Sequence, residues 1–264
     1  MSTLPVSDPS PDALPFVVPC RALDRAAPLR WLRLGWADLR RAPRLSLAYG
    51  LALALLSALI ALLAWRFGAL ALYIGLATGF VFVGPVLAVG LYSISRQLSQ
   101  GLRPVLGHCL REGAYHLKEL LVLGVALLIV LLVWARAAAM VHVFFPAADR
   151  PGWQDLLLFL GVGSAVGAVF AFVVFAASAV SLPFILDRKV DAVTASVSSF
   201  NAVLRNKGAM LVWAALIGAA VLLGFATVFL GFIVLLPLIG HATWHAYVET
   251  LDTEAWPRDA APAA

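Results

Sequence analysis

Two imidazoles come closest to chemistry in this sequence: His241 and His245, four residues apart in a run that also holds Trp244 and Tyr247. That spacing puts both rings on one face of a helix, where they could supply two ligands to a metal or lie along one haem edge. Two ligands leave a metal site half built, and no acid or thiol in a neighbouring apolar segment completes it. The expectation is therefore structural, with the imidazoles bonded to carbonyls or water and Trp244 and Tyr247 forming an aromatic belt at a membrane boundary. No metal or other cofactor is assigned.

A second group, Asp187-Arg188-Lys189 with Asp191, stands where a long apolar run ends. It reads as local ion pairing plus a cap, because an Asp oxygen suits the free N–H groups of the next helix. Ser93 and Ser95 have no histidine within a readable motif, and GxSxG, HExxH, a Gly-rich phosphate loop and CxxC are all absent. No enzyme is expected. Cys20 and Cys109 are too few for a disulfide scaffold, and five histidines are too few for a haem–copper centre.

The elements that must hold these residues are dictated by composition. Of 264 residues 62% are hydrophobic and 12% charged, far more apolar surface than one soluble core can hide. The chain reads as an all-α, polytopic membrane protein. Six spans of roughly the length a bilayer requires follow, at about 45–65, 67–92, 120–140, 156–185, 209–225 and 228–247. The last two come from one stretch, Ala209 to Tyr247, that has no Lys, Arg, Asp or Glu and is too long for a single crossing, so its turn falls between Gly224 and Gly231. A Pro-rich leader (1–20) and a polar tail (250–264) are expected to be disordered, flanking one membrane domain at 21–249.

Sixteen of the nineteen Lys and Arg fall before span 1, after span 2, after span 4 or in the tail; Arg66, Arg136 and Arg150 alone lie opposite. The positive-inside rule then puts both termini in the cytoplasm of a bacterial inner membrane, and Cys20 and Cys109 in a reducing compartment. Anionic lipid headgroups are the expected partners of this basic face, first of all along Ala27 to Arg44, where Leu29, Leu32 and Trp36 share reach of one face. A protein partner is left open, and nucleic acid is not expected.

Three hairpins appear as an internal repeat. Each follows a basic, semi-amphipathic stretch (Pro28 to Arg44, Pro104 to Glu119, Asp191 to Lys207), and each second helix carries a proline: Pro85, Pro183 and Pro237. Gly75 with Gly79, and Gly163 with Gly167, have the spacing at which helices approach closely.

The strings Leu34-Gly35-Trp36 with Asp38, then Pro43 and Ser46 to Gly50, Gly79-Phe80 through Gly84-Pro85 to Gly90-Leu91-Tyr92 and Ser95-Arg96, Ser181-Leu182-Pro183 through Asp187-Arg188 and Val190-Asp191-Ala192, and Pro237 through Gly240-His241 to Trp244-His245-Ala246-Tyr247 carry a resemblance. The sequence resembles the bacterial integral membrane proteins catalogued as domain of unknown function number 2189. The resemblance implies a membrane fold and no activity. Its residues supply the candidate functional or packing positions Gly79, Pro85, Gly90, Tyr92, Arg96, Pro183, Asp187, Arg188, Asp191, Pro237, His241, Trp244, His245 and Tyr247.

Three function classes follow, in order. A structural or accessory protein, serving the envelope or the assembly of a complex, needs only packed helices and a basic face. A transporter or channel for an uncharged or lipidic solute could use a kinked second helix; ion coupling is disfavoured, since no span contains Asp or Glu. A metal or redox protein would rest on His241 and His245 alone.

Overall fold

The computed structural model describes residues 14–67, 75, 88–144 and 152–259. Among them the chain is helical: α1 (Ala27–Arg41), α2 (Pro43–Phe67), α3 (Val89–Ser99), α4 (Leu106–Tyr115), α5 (Leu117–Phe144), α6 (Trp153–Ser178), α7 (Ser181–Asp187), α8 (Ala192–Arg205), α9 (Lys207–Ala226) and α10 (Phe232–Thr250). Four stretches are long and apolar enough to cross a bilayer: Pro43–Leu63, Leu117–Met140, Trp153–Asp187 and Lys207–Ala226. They correspond to the first, third, fourth and fifth expected spans. Most of the second, with Gly79 and Pro85, lies outside the described residues.

The sixth differs. α10 is a helix, and the turn before it falls at 227–231 as the charge-free run demands, with Val228 and Phe229 at positive φ of 51° and 68°. Its second half, however, is polar and lined by protein: Gly240, His241, Thr243, Trp244 and Tyr247 are all buried. α1, α2, α3 and α7 pack around it, so α10 does not reach the apolar length of the other four. Four of the six expected spans are thus met among the described residues, and α10 returns toward the end where α2 begins without the same apolar length.

The repeat takes a sharper form than paired hairpins. Three times a shorter, more polar helix runs into a long apolar one across a single non-helical residue: α1–Ala42–α2, α4–His116–α5 and α8–Asn206–α9. Counted from that residue, the position seven before (Gly35, Cys109, Ser199), four before (Asp38, Glu112, Ala202) and four after (Ser46, Leu120, Met210) is buried in every unit. Intervals of four and seven follow one helical face, so each unit turns the same face inward through its break.

Close approaches occur at glycines other than those expected. Gly163 meets nothing within 4 Å among the described residues, and Gly167 only Trp134 at 3.9 Å. These sites face outward, on a helix whose Leu157 and Val169 are 65% and 63% exposed and suited to lipid. Gly35 instead lies against the backbone of Ala242, Gly240 against Leu91, and Gly50 against the carbonyl of Ile233. Pro237 explains the last contact. It has no N–H to give the carbonyl four residues before it, which is that of Ile233, and the bare Cα of Gly50 fills the place beside the freed oxygen. Pro183 is the third residue of α7, where its missing N–H breaks no helical bond. The helix that was expected to run through it stops at Ser178, and Ser199 mends the break by accepting from Val180 N–H at 3.2 Å and donating to the Ala176 carbonyl at 2.8 Å.

Both ends depart from expectation. Residues 14–20 and 250–259 were expected to be disordered, yet Val18, Leu251, Thr253, Trp256 and Asp259 are buried. Cys20 pairs with Leu251 and Arg188 with Arg258 as antiparallel bridges, Val18 N–H donates to Ser198 Oγ at 3.0 Å, and Asn206 accepts from Leu23 N–H at 2.9 Å. The two ends pair their backbones with each other and with the stretch after α7, and Val18 and Trp256 anchor them in the core.

Candidate functional site

Two polar centres lie at the end of the bundle where α2 and α5 begin and α10 finishes. The first grows from α3, whose described residues up to Gln97 are all buried. Arg96 donates to Glu112 of α4, to the Leu186 carbonyl at 2.8 Å and to the Asp259 carbonyl at 2.6 Å, and its Nε lies 3.4 Å from Asp187. Glu112, with a fully buried side chain, also accepts from Ser93 Oγ. Asp187 in turn accepts from Arg188 Nε at 3.0 Å and from Tyr247 Oη at 2.8 Å. A guanidinium suits this place because its rigid fork satisfies several oxygens at once. Cys109 takes an amide hydrogen bond from Gln97 at 3.3 Å, and burial pushes its thiol up from the ordinary range.

The second centre is neutral at its core. His241, fully buried, holds Ser46 Oγ of α2 at 2.9 Å on Nε2 and Ser95 Oγ of α3 at 2.8 Å on Nδ1. One turn on, His245 Nε2 meets Asp38 of α1 at 2.8 Å. Arg30 and Trp31 of α1 also reach across to α10, both donating to Glu249. Salt-bridging to Glu249 and Asp24 raises the Arg30 pKa, and the Arg30 bond holds Asp24 below the usual carboxylate range.

The structure thus gathers most of the candidate residues. Tyr92, Arg96, Asp187, Arg188, Trp244 and Tyr247 share one region, in which the Phe184 and Tyr247 rings stack at 5.9 Å. Gly90 faces the ring of Tyr49, and Asp191 caps α8 by accepting from Val193 and Thr194 N–H, each at 2.9 Å. Those bonds hold its carboxyl below the usual range against the opposing effect of burial. Two expectations change. Trp244 and Tyr247 are 3% and 1% exposed, so they form an interior aromatic cluster and no belt at a lipid boundary. The side-chain partners of His241 and His245 among the described residues are serines and an aspartate from other helices.

Sequence reasoning passed over Asp38, Ser46, Glu112 and Asp259 as site residues. Asp38 and Glu112 did leave a signal, since both stand four residues before a break in the repeat. Among the described residues no group of three or more His, Cys, Asp or Glu is arranged to hold a metal ion.

Residues 72–187 match the family described as predicted integral membrane protein, domain of unknown function 2189. The match takes in the strings from Gly79 to Arg96 and from Ser181 to Asp187; those around Gly35 and His241 lie outside it. No curated protein and no solved structure matches the chain.

Proposed function

We propose that this membrane protein, whose residues 72–187 belong to the family of domain of unknown function 2189, serves as a non-enzymatic structural or accessory component, supporting the envelope or the assembly of a membrane complex. The observation that carries the reading is the use made of Arg96. Its guanidinium binds α4, the end of α7 and the C-terminal segment, and every one of those contacts is internal. Charges that serve transport usually face a water-filled path; this one joins helices. His241 has both ring nitrogens engaged by hydroxyls, which favours a fastening role over ligation.

The membrane placement belongs to the same proposal: an inner membrane, with both termini in the cytoplasm. In support, the N- and C-terminal segments bond to each other, Arg21 N–H to the Thr250 carbonyl at 2.8 Å among them, so they share a side, and the basic bias says which. α1 leaves Leu29, Arg33, Trp36 and Arg40 on one exposed stripe, suited to anionic headgroups at that face.

Loss of the gene should shift the mass of a defined membrane complex on native gels. The protein in liposomes should pass no more glycerol, and flip no more lipid, than empty liposomes do. Flux above that background overturns the reading in favour of a transporter, and about one equivalent of bound iron, copper or zinc overturns it in favour of a metal protein. Reporters at residue 150 and after residue 264 should fall on opposite sides.

A further inference from the structure

α4 is held to the rest of the molecule along one narrow edge. Of its ten residues only Cys109 and Glu112 are buried, and it packs chiefly on α3 and the start of α5. The bonds on that edge go to α3: Glu112 accepts from Arg96 and Ser93, and Cys109 takes the Gln97 amide. Another side is apolar. Leu106 and Leu110 on α4, with Leu117 and Leu121 beyond the His116 break, are between 49% and 64% exposed. Their intervals of four, seven and four keep to one helical face, so a single leucine stripe runs out of α5 and along α4.

Composition fixes what covers one end of the stripe. Leu117 opens the candidate span Leu117–Met140, and Val125, Leu128 and Leu132 continue the exposed face along it, where acyl chains are the solvent. The stripe does not stop where the span begins. It carries the lipid-facing surface one helix further, to the depth of the headgroups. Charge follows the same plan. Arg111 and Lys118, seven residues apart, share the face beside the leucines, and both are exposed. The acid of α4, Glu112, is turned inward to Arg96, and Glu119 falls by its spacing on the side of the helix away from the stripe.

We propose that α4 is a lipid-docking helix: its Leu106–Leu110 face beds among the acyl chains of an anionic leaflet, and Arg111 and Lys118 meet the phosphates there. This rests on the membrane placement proposed above and extends it from α1 to the helix that brings Glu112 to Arg96. A helix of this kind gains twice, from the apolar area it buries and from the attraction of its cations to anionic lipid. The bilayer then forms the outer wall of the charged centre. A protein on the same leucines would have to take over, at the headgroup boundary, a stripe that lipid covers below it.

The test places photoreactive p-benzoylphenylalanine at residue 110, 123 or 128 of the full chain, reconstituted into vesicles of equal phosphatidylcholine and phosphatidylglycerol, with the adducts identified by mass spectrometry. Leu128 is exposed within the span and Leu123 is buried, so position 128 should cross-link to lipid and position 123 to the chain itself. Position 110 should cross-link to lipid, and to phosphatidylglycerol over phosphatidylcholine by at least about threefold. Arg111→Gln with Lys118→Gln, both at exposed sites, should bring that ratio to about one. Lipid at 128 with a protein adduct or none at 110 overturns the docking of α4 and leaves the membrane placement standing. No lipid at 128 overturns the placement and the docking together. Equal yields of the two lipids at 110, or a preference that survives the double substitution, would also overturn the proposal.

Discussion

The two polar centres solve one problem with different materials. Around α3 the interior is built from charges: Arg96 in contact with both Glu112 and Asp187, with Glu112 wholly buried. Around the middle of α10 it is built chiefly from dipoles, an imidazole between two hydroxyls. Their acids, Glu112 and Asp38, occupy the same place in the repeat, four residues before a helix break. The third unit has Ala202 there, with no charge at all. One helical scaffold thus carries a charged, a mixed and an apolar version of the same contact, and the versions should differ in what they tolerate.

The charged version should be the least forgiving. Arg96→Met leaves Glu112 buried with no counter-charge, which costs about 3–5 kcal/mol of stability. Thermal or denaturant unfolding in detergent measures it. The double variant, Arg96→Met with Glu112→Leu, removes both charges and should recover most of that loss, because a well-packed apolar pair often replaces a buried ion pair at little cost. A double variant as unstable as the single one would mean that the carbonyls of Leu186 and Asp259 are the main partners of Arg96 and that Glu112 is secondary.

The dipolar version should yield less. His241→Phe keeps the ring but strands Ser46 and Ser95, at about 1–3 kcal/mol. His241→Gln, which can still meet one hydroxyl, should cost less than His241→Phe. Gly50→Ala probes the same layer through sterics. Its methyl would strike the Ile233 carbonyl and, at 2.8 Å, Pro237 Cγ, so about 1–3 kcal/mol of overpacking is expected. Gly163→Ala, with nothing within 4 Å among the described residues, should melt at or slightly above the parent. Equal effects at Gly50 and Gly163 would mean that the close seam between α2 and α10 contributes nothing.

Much of this architecture was legible in the sequence, for reasons that also mark where reading stops. Apolar runs free of charge give spans directly, and the turn at 227–231 follows from length alone. The Asp191 cap is local, so its neighbours announce it. By contrast, the partners of His241 come from 146 and 195 residues away, and no spacing rule reaches that far. The ends differ for a related reason: their composition is that of disordered tails, and the partners of their backbones, among them Leu251 for Cys20 and Arg188 for Arg258, lie far off in sequence.

The smallest expected effect separates the charged centre from the dipolar one by pH. Burial holds the His116 pKa below its ordinary 6.5, and the charges facing it, Asp259, Glu112 and Glu119 against Arg96, do not reverse that direction. The unfolded chain therefore takes up a proton before the folded one does. Stability is complete above about pH 6.5 and declines as the pH falls through that value toward the lower folded one. His116→Phe should be flatter over pH 7 to 5 than the parent when both are unfolded in detergent without added lipid. Asp191 acts in the same sense at lower pH, since its carboxyl also lies below the usual range, so the His116 contribution is read where carboxylates remain ionised, above about pH 5. If both proteins lose stability in parallel between pH 7 and 5, the imidazole beside the charged centre gains its proton as readily folded as unfolded, and burial at the His116 break does not hold it neutral.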